Sequence, residues 1–188
     1  MSFDFQAARL TMVESQVRTS DVTDYLVQDA MRIAPRETLC PPEKMAVAYA
    51  DADIEYAPGL YLLRPRAMGK LLQALKPLPH EKALCIAAPY AALVLRTAGL
   101  EVDEIGAGQT PAPGAYDLIV SEGSVAEVPA SWPAALAEGG RMAVIVRTGP
   151  MGQAHLFIKT AGRVASCEVF DAASPYLPGH EPKAQFAF

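Results

Sequence analysis

Apolar residues recur at helical spacing through the first third of the chain, and after residue 82 the pattern changes to short apolar runs alternating with helical segments. Phe5, Ala8, Met12 and Val13 fall near one face of a first helix. Arg18-Thr19-Ser20 breaks it, and Asp21 reads as the N-cap of a second helix that carries Val22, Tyr25, Leu26, Ala30 and Ile33. That helix ends at Ala34, because a proline pushes the residue before it out of the helical region. Residues 38–64 read as turn-rich. Pro65, well tolerated at a first helical position, opens a third helix whose apolar face is Ala67, Met68, Leu71, Leu72 and Leu75.

Beyond residue 82, the runs 82–88, 100–105, 116–121 and 141–147 read as strands of a sheet. Residues 90–98, closed by Gly99, and residues 131–137 read as the helices between them. Residues 154–160 and 164–170 flank Gly162 as an antiparallel pair. The alternation predicts an α/β fold with a mostly parallel sheet and an antiparallel C-terminal hairpin. Two units are expected, an N-terminal helical extension over 1–64 and an α/β domain over 65–188.

Composition narrows the function classes. Sixteen basic against 21 acidic residues leave a net charge of −5, with no cluster of Lys or Arg, so a nucleic-acid backbone binder is not expected. Cys40, Cys85 and Cys167 are isolated and odd in number, which fits a reducing compartment, and the scattered histidines give no metal-ligand spacing. Residues 1–13 lack a basic start followed by an apolar run, and the most apolar stretch, 83–95, is interrupted by Pro89 and too short to span a bilayer. The expectation is a cytoplasmic protein without membrane contact.

Three stretches carry a family resemblance: MVESQVRTSDVTD from Met12, Ala34-Pro35-Arg36-Glu37 followed by Ala48-Tyr49-Ala50-Asp51, and YDLIVSEGSVAEVP with LAEGGRMAVIV. In this order they resemble protein-L-isoaspartate O-methyltransferases, which are class I S-adenosylmethionine-dependent enzymes. The resemblance implies a Rossmann-like class I methyltransferase sheet, transfer of a methyl group to a protein carboxylate, and a role in protein repair.

It also implies a cofactor cradle, and there this chain departs from the pattern. The family places a glycine-rich turn after its first sheet strand, so that backbone can approach the cofactor without a Cβ clash. The matching residues are Ala87, Ala88, Pro89 and Tyr90, with no glycine, and Pro89 has no N–H to donate. Asp103 or Glu104 is the candidate for the ribose-binding acid, and both also suit protection of an exposed edge strand. Residues 106–115, GAGQTPAPGA, leave no room for the family's next helix and strand. As a plain loop they reach roughly 33 Å, enough for a return of roughly 20 Å along one strand. The hydroxyl-bearing motif before a family proline is replaced by Tyr61-Leu62-Leu63-Arg64-Pro65.

The residual site candidates are Tyr61, with Ser121 and Glu122 at the carboxyl end of a strand, where open α/β sheets bind ligands. No catalytic residue and no metal ligand is assigned. The sequence therefore leads to a catalytically degenerate family member, a pseudoenzyme without bound cofactor that acts through a protein partner or as a homodimer. The other reading is an active methyltransferase that binds S-adenosylmethionine in a divergent pocket. The dimer interface is expected from residues 1–33 or from surface uncovered by the missing elements. Phe186 and Phe188 in the tail are expected to dock on the sheet or on a partner.

Overall fold

Helix α1 (Phe5–Met12) is capped by Asp4, whose carboxylate accepts from the Ala7 N–H at 2.9 Å. The computed structural model describes residues 4–183, so the expectation for Phe186 and Phe188 lies outside the described residues. The chain continues through a π-helical stretch at Val13–Val17 and a 3₁₀ turn at Arg18–Ser20. Asp21 is not the cap expected from sequence. It adopts a left-handed φ of 63°, and Asp24 caps helix α2 (Tyr25–Ile33) by accepting from the Val27 N–H. The physical reason is a side chain 50 residues away. The Gln73 amide accepts from the N–H groups of Thr23 and Asp24 and donates to the Asp21 carbonyl, which holds this turn open for three more residues.

The turn-rich stretch contains structure that its sequence pattern hides. Two 3₁₀ turns (Arg36–Leu39 and Pro42–Val47) lead into a hairpin of β1 (Ile54–Ala57) and β2 (Leu60–Leu62). Strands of four and three residues with a register shift show no usable period of two. Helix α3 (Pro65–Leu75) buries Met68, Leu71, Leu72 and Leu75, as its apolar stripe requires. A Cβ added at its Gly69 would meet Val17 at 3.0 Å, so the glycine sets the close approach to the N-terminal helices.

The main sheet uses β3 (Lys82–Ile86), β4 (Glu101–Ile105), β5 (Tyr116–Val125), β6 (Leu136–Arg147), β7 (Gly152–Thr160) and β8 (Arg163–Asp171). Helix α4 (Pro89–Thr97) follows β3, and the single turn α5 (Ser131–Ala134) precedes β6. The strand order is β4-β3-β5-β6-β7-β8, parallel from β4 to β6 and antiparallel from β6 to β8. This is the expected α/β fold. Residues 106–115 form neither helix nor strand, and β4 is the sheet's edge, as the short loop predicts.

The segment before β6 differs from expectation. α5 stops at Ala134 and β6 begins at Leu136, because Gly139 (φ 78°) and Gly140 bend the strand start against β5. A Cβ at Gly140 would lie 2.9 Å from the Tyr116 carbonyl oxygen. One sheet face packs on α1 to α4 in a single apolar cluster, and the other is covered by Trp132 and Leu177. No described helix is long and apolar enough to cross a membrane.

Candidate functional site

The carboxyl end of β5 is irregular where the site candidates lie. Its ladder with β6 pairs Val120 with Ala143 and next pairs Ser124 with Ile145, so Ser121, Glu122 and Gly123 bulge out of register. Gly123 takes φ 151°, and a Cβ there would sit 2.7 Å from the Leu177 side chain. Residues 174–177 fix the bulge from outside. The Ser124 N–H donates to the Pro175 carbonyl, the Leu177 N–H donates to the Ser124 carbonyl, and the Ser124 hydroxyl reaches Ser174.

The bulge turns the Glu122 carboxylate inward, where it is fully buried. One oxygen accepts from the Leu63 N–H at 3.1 Å and the other from the Tyr90 N–H at 2.8 Å. The Ala91 N–H also donates to the carboxylate. Glu122 therefore ties together the end of β5, the junction of β2 with α3, and the first turn of α4. Burial pushes its carboxyl up to about 7, against the opposing pull of Arg36 and the three backbone N–H groups.

Arg36 is the residue that sequence reasoning did not single out for this site. It is fully buried on the 3₁₀ turn after α2 and lies over the Tyr90 ring, 4.7 Å from its centre. Its Nε donates to the Ala48 carbonyl, but its Nη1 has no partner, and neither do the Tyr90 hydroxyl nor Ser121 Oγ. The orphaned atoms of Arg36 and Tyr90, both fully buried, thus belong to one neighbourhood, whereas Ser121 pairs in register with Ile86, whose side chain belongs to the cluster on the other sheet face. The available signal was the charged Arg36-Glu37 pair directly after a helix-ending proline.

The remaining candidates are dispersed. Ala87 is held at φ 45°, and its N–H donates to the Ile105 carbonyl. Ala88 occupies the N-cap of α4 without a side-chain cap, and Pro89 follows it. Asp103 pairs with Lys82 and accepts from the Tyr116 hydroxyl, and Glu104 pairs with Arg96 at 2.6 Å. Both acids are exposed on the edge strand. Tyr61 is half-buried on β2, and its neighbours Leu62 and Leu63 are core. Among the described residues no group of His, Cys, Asp and Glu could hold a metal ion.

No family model matches the chain. A stretch of 84 residues is 38% identical to the protein-L-isoaspartate O-methyltransferase of Aeropyrum pernix, covering 45% of this chain and 32% of that protein. Over 172 residues the chain is 31% identical to protein-L-isoaspartate O-methyltransferase 1 of Rhodopseudomonas palustris, covering 76% of this chain and 70% of the relative. The chain belongs to the protein-L-isoaspartate O-methyltransferase family. A solved structure from Plasmodium falciparum, described as a β-aspartate methyltransferase of this kind in complex with S-adenosyl-L-homocysteine, superposes with a TM-score of 0.72. It covers 90% of this chain and 97% of its own, and at 14% identity it shows the shared fold.

The family's cofactor can be tested against the turn between β3 and α4. The cradle needs free N–H groups and space for backbone approach. Here Ala87 places a Cβ at a left-handed position that favours glycine. The N–H groups of Ala87, Tyr90 and Ala91 are all bonded within the chain, and Pro89 has none. The residues present do not fit S-adenosylmethionine bound in the family's manner.

Proposed function

We propose that this protein is a protein-L-isoaspartate O-methyltransferase family member that does not use the family's cofactor and acts by binding protein, itself or another chain. The observation that carries this reading is Glu122, whose carboxylate fills the start of α4 and takes up its N–H groups. A binding role is supported by Leu10, Tyr25 and Ile33, large apolar side chains left exposed on the N-terminal helices. Arg9 donates to the Ile33 carbonyl at 2.7 Å, which brings the neighbourhoods of Leu10 and Ile33 together.

The second reading is an active enzyme that transfers a methyl group from S-adenosylmethionine to a protein carboxylate in protein repair. The comparisons favour it, since the curated relatives carry that enzyme's name. Transfer of labelled methyl from S-adenosylmethionine to a peptide containing an isoaspartyl residue separates the two. Our reading expects no incorporation above a protein-free control, and catalytic turnover would establish the second.

A further inference from the structure

We propose that the start of α4 is a carboxylate-binding site that the chain closes on itself, with Glu122 as its internal occupant. The inference rests on the reading that the cradle is blocked, and it names what blocks it. Helix α4 has nine residues, and its N-cap Ala88 offers no side-chain acceptor to the orphan N–H groups of the first turn. A carboxylate is the natural partner of such a helix end, where N–H groups and the helix dipole both favour negative charge. Glu122 comes from a strand 32 residues away and reaches this point where β5 loses its register with β6 after Val120. Its other oxygen holds Leu63, so the same two-oxygen group bridges two separate backbone donors.

A second set of groups marks this place as more than a capped helix. Arg36 Nη1 and the Tyr90 hydroxyl are buried without partners, and Arg36 stacks on Tyr90, a residue of the helix's first turn. Buried polar atoms rarely go unpaired, and two at one place mark a site that can offer more hydrogen bonds than Glu122 takes up. The class of ligand follows from the donors: a small carboxylate, accepted by the α4 and Leu63 N–H groups beside a buried guanidinium. In the intact chain Glu122 occupies the place first.

Removing the side chain gives the test. Glu122→Ala is expected to melt lower than the wild type, and formate or acetate should raise its melting temperature saturably by about 3 °C or more. The wild type, and Leu84→Ala with an apolar cavity on the opposite sheet face, should not respond. An equal response in all three proteins, or none in Glu122→Ala, overturns the proposal. If Glu122→Ala does not fold, amide exchange of Glu122→Gln decides. The Leu63, Tyr90 and Ala91 amides should then exchange at least tenfold faster while the rest of the sheet is unchanged, and unaltered protection there overturns the proposal. Cofactor binding by the wild type would sink the proposed function instead, so the two failures are distinguishable.

Discussion

Glu122 shows how a residue's surroundings fix its chemistry. Its carboxyl is raised from the ordinary value of 4.5 to about 7 because burial outweighs the favourable charge of Arg36 and three N–H groups. The other titratable groups near it are Tyr56, Tyr90 and Cys85. Burial pushes the Tyr56 hydroxyl up to about 12 and raises Tyr90 and Cys85 as well, so all three stay neutral across this range. Below about pH 4.5 Glu122 is protonated in both folded and unfolded chains. Between about 4.5 and 7 the unfolded chain releases its proton while the folded chain keeps it, so folding stability falls as pH rises. The loss is on the order of 3 kcal/mol and is complete above about pH 7. Denaturant melts from pH 4 to 8 should show this fall in the wild type and not in Glu122→Gln. Equal profiles for the two proteins would contradict it.

Gly123 is constrained twice, by φ 151° and by Leu177 in the space a Cβ would need. Gly123→Ala is expected to cost about 2 kcal/mol or more, since overpacking and backbone strain add. A denaturant midpoint equal to the wild type's would show that residues 174–177 shift at little cost.

At the scale of elements, α3 and the turn before α4 carry the most decisive contacts. Leu71 is fully buried on α3, and Leu71→Ala should destabilise by about 2–5 kcal/mol, read from the same denaturant melts. The sheet strands, α3 and α4 were legible in the sequence because their patterns are local: apolar runs, a helical stripe, Pro65 at a helix start, Gly99 at a helix end. The edge position of β4 was legible from the shortness of residues 106–115. What was not legible depends on distant partners. Gln73 moves the α2 cap from Asp21 to Asp24, and β1 and β2 are too short to show a period. The site divides the same way. Glu122 could be placed at a strand end from sequence, but its bonds to Leu63 and Tyr90 and the burial of Arg36 join segments that only the fold brings together.

For the whole molecule the question is what covers its remaining apolar surface. β4 is exposed along an edge with Glu101, Asp103 and Glu104, acids that discourage strand addition. Leu10, Tyr25 and Ile33 have no such protection. The proposed homodimer through residues 1–33 predicts twice the chain mass in light scattering coupled to size exclusion, and a monomer for Leu10→Asp combined with Ile33→Asp. A wild type that stays monomeric at high concentration would remove self-association and leave only a different protein as partner.

In the proposed function, Glu122 and the glycine-free turn from Ala87 to Tyr90 have taken the place of the family's cofactor. Calorimetric titration of the full chain with S-adenosyl-L-homocysteine tests it most directly, because it needs neither the substrate nor turnover. No saturable heat is expected up to millimolar ligand. A stoichiometric isotherm with micromolar affinity would contradict it.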